Sequence, residues 1–382
     1  MRPIPTSAPA ERRSNGIGAL RLFFASLVIV SHSPEMLDGS LAREPLHRLF
    51  GTLSSGTLAV DAFFLISGYL IAASFAASTS VVSYFKKRVL RIYPAFIVCC
   101  LLCIFCVAPL AGADLSSLRA PDWGRMAYRL LLLKSPEVAG VFEGLPYATL
   151  NGSAWTISYE FRCYILAALF GLVGLYRRRA LFLALTAILL AANVVLNFTS
   201  IGAFTAPGWL AAAGEPHLQL RLLSPFMVGT CFWLYRDGIA LRGRYAAVCT
   251  VGLVGLMFVP ALAETALVLL GGYVLFWTAF KVTWRPLHTL NAKDDISYGI
   301  YLYAWPIGAL VAWYWPTVTP VVLALLTFIG AVLFGLGSWH LIEKRAMRWN
   351  GRRRTPAPVS APLEPHRRTT VAPEKDARAG EA

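Results

Sequence analysis

Ten apolar runs, each close to twenty residues long, follow one another through most of the chain, at roughly 16–33, 53–76, 92–112, 152–175, 180–198, 219–236, 244–260, 262–281, 296–315 and 319–342. A helix rises about 1.5 Å per residue, so about twenty residues cross a hydrocarbon layer of about 30 Å. A water-soluble core has no room for so many segments of this kind. The composition agrees: 57% of the 382 residues are hydrophobic and 14% are charged, against about a quarter charged in soluble domains. The sequence predicts an all-α polytopic membrane protein, a bundle of about ten transmembrane helices. Pro260 alone divides the seventh run from the eighth.

The cations set the orientation. Lys86, Lys87, Arg88 and Arg91, then Arg177 to Arg179, then Arg236, Arg242 and Arg244, then Lys281, Arg285 and Lys293 fall in alternate connections, with Arg2, Arg12 and Arg13 before the first run. The other connections hold the smaller set Arg43, Arg48, Arg119, Arg125, Arg129, Lys134 and Arg221. Cytoplasmic loops are the Lys/Arg-rich ones, so both termini are predicted to be cytoplasmic, in the inner membrane. A formal charge of +15 would point to nucleic acid in a soluble protein. Here its placement points to membrane lipid as a partner and to no nucleic acid.

Residues 1–15 and 346–382, rich in Pro, Arg, Ala and Thr, read as disordered tails around one membrane domain at 16–345. The first apolar run contains Arg21 and has no small-residue cleavage site, so no cleavable signal is expected. Cys99, Cys100, Cys103 and Cys106 cluster in the third run without a nearby His or carboxylate. They read as packing residues, and no metal site is expected.

Four segments place polar side chains where hydrocarbon excludes them. In GIGALRLFFASLVIVSHS, Arg21 and His32 are eleven residues apart, which on a helix returns to nearly the same face about 16 Å further on. Such side chains normally face a bundle interior, the alternative being an arginine that snorkels and a histidine among headgroups. Asp61, within VDAFFLISGYL, needs a cation, and Arg21 and Arg162 are the guanidinia inside apolar runs. A structural ion pair and a catalytic carboxylate are both open for it. Ser67 and Gly68, further along the same run, allow a close helix approach or a local break.

In SYFKKRVLRIYP, Arg88 and Arg91 are i and i+3 on one helix face, able to grip phosphate oxygens or simply to anchor the helix end. In NGSAWTISYEFRCYI, which carries Trp155, Glu160 is expected near the level of His32, where it orients the imidazole or forms a packing ion pair. Tyr298 and Tyr301, in ISYGIYLYAWP, line a pocket or belong to an interfacial belt, the belt being the simpler expectation. His340 and Glu343 close the last run, while His47, His217, His288 and His366 lie in loops or tails and carry no assigned role.

Taken together, these segments resemble the membrane acyltransferase 3 family. The matching pieces are R-x10-H at Arg21 and His32, VDxFFxxSGxL at Val60 to Leu70, R-x-x-R-x-Y-P at Arg88 to Pro94, WTxSxE at Trp155 to Glu160, ISYxxYL at Ile296 to Leu302 and LIEK at Leu341 to Lys344. The resemblance implies a ten-span core and an O-acyltransferase that takes acyl groups from cytoplasmic acyl-CoA, usually acetyl-CoA as co-substrate, with no bound cofactor. It implies a saccharide or glycolipid hydroxyl as acceptor, often at the outer face. By position it makes His32 the central catalytic residue with Arg21 its companion, Glu160 a functional carboxylate, and Arg88 and Arg91 the donor motif. Asp61, Ser67, Trp155, Tyr298 and Tyr301 support them.

The late aromatic segment departs from many relatives, which carry a second His where this chain has Ala304. The given sequence stops soon after its last apolar run, so the hydrolase-like domain fused to some relatives is not expected in it. His32 acts as general base or carries the acyl group transiently; the sequence leaves both open. Intramembrane Arg, Asp, Glu and His also mark proton-coupled transporters, which move a substrate without acylating it. A regulatory protein that has lost catalysis is a third alternative.

Overall fold

Three of the long helices start where the sequence supplies a capping oxygen. Ser54 Oγ accepts the backbone N–H of Thr57, Ser80 Oγ that of Ser83, and Thr319 Oγ1 that of Val322, each satisfying a donor that has no partner within its helix. The computed structural model describes residues 15–199 and 215–349, and among these there are helices and no strands. We label the main ones α1 (Ile17–Asp38), α2 (Ser55–Ala76), α3 (Val81–Leu110), α4 (Ala120–Leu131), α5 (Trp155–Leu172) and α6 (Arg179–Thr199). They continue as α7 (Pro216–Leu234), α8 (Gly243–Leu256), α9 (Pro260–Lys281), α10 (Ser297–Tyr314) and α11 (Pro320–Arg348). Six of these, α1, α2, α3, α6, α9 and α11, are long and apolar enough to cross a membrane. The chain is a helical multi-pass membrane protein.

Pro260 opens α9 at its first turn, where its missing donor is tolerated. The last helix runs to Arg348, slightly past the boundary expected at 346. The rest of that basic tail and nearly all of the tail expected at 1–15 lie outside the described residues. Cys99, Cys100 and Cys103 are buried in α3 and Cys106 is exposed. The Cys99 thiol meets the carbonyl of Leu302, as a packing residue does.

Two contacts bring the central helices unusually close. A Cβ on Gly68 of α2 would stand 1.9 Å from the Phe226 carbonyl oxygen of α7, and one on Gly229 of α7 would stand 2.0 Å from that of Leu65. The two glycines therefore lay one backbone directly on the other, and Thr230 Oγ1 donates to the Gly68 carbonyl across the seam. The close approach expected at Gly68 is observed. The helix α1 packs on α2, α10 and α11, which places Arg21 and His32 inside the bundle. The outer helices α6 and α8 leave large apolar side chains uncovered, among them Ile188, Val248 and Val251, as lipid-facing helices do.

Asp61 is completely buried in α2, and its partner is neither Arg21 nor Arg162. Arg221 of α7 donates to it at 3.1 Å and to Glu264 of α9 at 2.8 Å. Arg221, expected in an outer connection, lies inside a helix because two carboxylates offset its desolvation there. Arg162 instead lies over the Tyr159 ring at 4.8 Å.

Candidate active site

Arg21 and His32 share a face of α1 but serve two separate hollows. At the Arg21 end a chamber of about 120 Å³ is walled by Arg21, Ser67, Arg88, Arg91, Glu160, Tyr298 and Tyr301, with apolar side chains such as Phe63 and Ile157 between them. A second hollow of about 380 Å³ lies against it, lined by Lys87, Arg88, Arg91, Asp295 and Trp339. Arg88 and Arg91 belong to both, so the two guanidinia mark the junction between a basic vestibule and the chamber.

The side chains at this junction are held by an ion-pair knot. Asp295 accepts from Arg21 and, at 2.7 Å, from Arg91, which also donates to Glu343 at 3.1 Å. Asn291 Nδ2 and Ser297 Oγ complete the shell of Asp295 at 3.0 and 2.5 Å. Gly18 makes this possible: the Asn291 carbonyl oxygen lies 2.7 Å from where a Cβ would stand, so the loop presses onto α1. Burial pushes the Asp295 carboxyl up, but Arg21 and Arg91 outweigh it and hold it well below the usual carboxylate range. Around Arg91 the Tyr298 and Trp339 rings complete the enclosure at 5.8 and 5.7 Å. Trp339 and Glu343 bound a π-helical turn in α11, a local widening of the helix that is frequent at functional sites.

Glu160 belongs to this chamber and not to the histidine. Its Oε1 accepts from Ser67 at 3.1 Å and from Tyr164 at 2.6 Å. The expectation that it meets His32 is corrected by α1 itself: His32 Nδ1 lies 2.8 Å from Glu35 Oε2, one turn on. Positions i and i+3 are neighbours on a helix surface, so this local carboxylate takes the imidazole first. Tyr147, in the loop before α5, donates to the other oxygen of Glu35 at 3.1 Å.

The Trp305 ring meets the imidazole edge-on at 5.0 Å, and Tyr147 meets Trp305 at 5.8 Å. His32 and Glu35 remain 22% and 21% exposed. Beside His32, a hollow of about 10 Å³ is lined by Ala304, Trp305 and Thr327. The small side chain at 304 leaves it.

Tyr298 and Tyr301 are buried chamber residues and not an interfacial belt. Tyr298 donates to the Ile92 carbonyl at 3.1 Å, and the Tyr301 hydroxyl meets Thr156 Oγ1 at 2.6 Å. Trp155 stands apart from the chamber wall, partly exposed and against Tyr159. One turn of α10, from Tyr301 to Trp305, separates the chamber from the hollow beside His32. Glu35, Tyr147, Tyr164, Asp295 and Arg221 were not singled out in the sequence as functional residues. Glu35 was legible from its spacing to His32. Asp295, 274 residues from Arg21, offered no such signal.

The chain is similar to an O-acetyl transferase of Shigella phage Sf6, 26% identical over 342 residues that cover 87% of this chain and 96% of the relative. It is similar to nodulation protein 10 of Rhizobium leguminosarum bv. viciae, 26% identical over 371 residues, 90% of this chain and 96% of that one. Acyltransferase MdmB of Streptomyces mycarofaciens is 29% identical over 168 residues, 41% of this chain and 39% of the relative. No solved structure matches. The profile of the acyltransferase 3 family, described as an acyltransferase domain, matches residues 14–340. With a helical multi-pass body and that profile extending across nearly all of it, the chain is a membrane acyltransferase and belongs to the acyltransferase 3 family.

Proposed function

We propose that this membrane acyltransferase crosses the inner membrane ten times with both ends cytoplasmic, and moves an acyl group, most simply acetyl, from cytoplasmic acyl-CoA to a hydroxyl of a cell-surface or exported saccharide. The observation that carries the reading is the junction at Arg88 and Arg91, which joins a vestibule lined mainly by cations to a largely apolar chamber. A phosphate-bearing thioester has its charge at one end and its acyl group at the other, and this pair of hollows is polarised the same way. The vestibule takes the phosphates of coenzyme A, and the pantetheine arm runs through the chamber towards the His32 end of α1, past Tyr301 and Trp305.

At that end His32 acts as general base. With Nδ1–H directed to Glu35, the Nε2 lone pair is free to take the acceptor's hydroxyl proton, the role of the oriented imidazole in acyl transfer generally. The acceptor oxygen attacks the thioester carbonyl, the new C–O ester bond forms and the C–S bond breaks. The departing thiolate takes the proton, so coenzyme A leaves as the thiol and the imidazole returns neutral. A thioester is already activated, so positioning and deprotonation are the main work left to the protein.

The test supplies labelled acetyl-CoA and a candidate glycan to membrane vesicles carrying the wild type or His32→Ala. Labelled glycan from wild type alone supports the reading. Transfer that survives His32→Ala removes the assignment of the base. A transporter would instead move the acceptor across the vesicle membrane with no labelled product.

A further inference from the structure

The two arginines of R-x-x-R differ in what they are free to do. Arg91 is neutralised: Asp295 and Glu343 both accept from it, and the Tyr298 and Trp339 rings flank it. Arg88 is one turn earlier on the same face, yet no carboxylate lies within 4.0 Å of it among the described residues. It makes one hydrogen bond, to Ser74 Oγ at 3.3 Å, and its Nε is buried without a partner. Lys87, also lining the vestibule, likewise meets a serine hydroxyl, Ser78 Oγ at 3.2 Å. Arg88 is half-buried, and a partly desolvated guanidinium without an anion gains most from a ligand that brings one.

Resting on the proposed donor, we infer that Arg88, with Lys87, is the anion receptor of the vestibule and that Arg91 is a positioning residue, held with Arg21 by Asp295 as the fixed wall of the chamber. The charge balance specifies the ligand class. Glu160 of the chamber is held by the Ser67 and Tyr164 hydroxyls, Arg21 and Arg91 are matched by Asp295 and Glu343, and Lys87 and Arg88 face the vestibule with no carboxylate within 4.0 Å among the described residues. They fit a diphosphate-bearing thioester, such as a nucleotide thioester, better than a thioester on a bare pantetheine arm. An anion docked on Arg88 need not break the Arg91 knot, so the wall stays in place while the donor exchanges.

The experiment compares two donors, acetyl-CoA and S-acetylpantetheine, on purified full-length protein in lipid nanodiscs. For Arg88→Gln, the ratio of kcat/KM for acetyl-CoA over S-acetylpantetheine should fall by about 10- to 100-fold, the range of a lost charge-assisted hydrogen bond. The fall should lie mainly in KM, and Arg88→Lys should recover part of it. Arg91→Gln should lower kcat with both donors together, keep the donor ratio within about 3-fold of wild type (less than one such bond is worth), and lower the melting temperature. Inorganic pyrophosphate gives a readout independent of turnover: it should raise the melting temperature of wild type and Arg91→Gln, and not that of Arg88→Gln.

A donor ratio that falls for Arg91→Gln and holds for Arg88→Gln overturns the assignment. So does pyrophosphate protection that survives Arg88→Gln. Wild type that neither binds coenzyme A nor turns over acetyl-CoA defeats the donor reading instead. In that case the pyrophosphate result alone decides which arginine receives an anion.

Discussion

Replacing Glu35 by glutamine removes one charge from the His32 end of α1 and leaves nearly the same shape. In the structure Glu35 holds His32 Nδ1 at 2.8 Å and is itself held by Tyr147 at 3.1 Å, so the carboxylate fixes both the ring orientation and the tautomer. A charge-assisted hydrogen bond is worth about 1.5–3 kcal/mol. With both side chains about one-fifth exposed, the lower half of that range applies. At about 1.4 kcal/mol per decade of rate, Glu35→Gln should lower kcat by about 10- to 40-fold. A larger loss follows if the amide stabilises the wrong tautomer, since the analogous change in a serine protease triad costs about 10⁴.

The assay is transfer of labelled acetyl to the acceptor in vesicles, at matched protein levels, for wild type, Glu35→Gln, His32→Ala and the double variant. If the carboxylate acts through the imidazole, the double variant is no slower than His32→Ala alone, because groups that act as a unit are not additive. A further drop in the double variant, or Glu35→Gln at wild-type rate with Glu160→Gln inactive, refutes the pairing. Glu160 would then be the carboxylate that matters to the base.

Three further outcomes follow from the packing and the ion pairs. Arg221→Met strands the buried Asp61 beside Glu264 and should cost about 3–5 kcal/mol, seen as a large fall in melting temperature in detergent. Asp61→Asn leaves Arg221 paired with Glu264 and should cost much less. Gly68→Ala drives a methyl into the Phe226 carbonyl and should cut the yield of folded protein on size-exclusion. The same change at Gly255, where nothing lies within 4 Å, should be neutral or slightly stabilising. Asp295 is held below its ordinary range, so its contribution is complete above an aspartate's unfolded pKa of about 3.9. It is lost as the pH falls through the lower folded value. Melting temperature measured from pH 6 to pH 3 should therefore drop less steeply below pH 4 for Asp295→Asn than for wild type.

The helical membrane class was legible in the order of residues because it rests on local quantities. The run lengths set what can span, Ser54, Ser80 and Thr319 mark helix starts, and Gly68 announces a close contact without naming the partner. The motifs were equally visible, and the chamber does gather Arg21, Arg88, Arg91, Glu160, Tyr298 and Tyr301. What the residue order could not say is which charge answers which. Desolvation in a bundle favours a partner for each buried ion, but the choice depends on how helices far apart in sequence are set side by side. Thus Arg221 and not Arg21 or Arg162 meets Asp61, Asp295 and Glu343 neutralise Arg91, and Arg88 keeps an open valence. Even for His32, whose partner Glu35 is three residues away, it took the packing of α5 against Ser67 of α2, with Tyr164 one turn along α5, to show that Glu160 was engaged elsewhere.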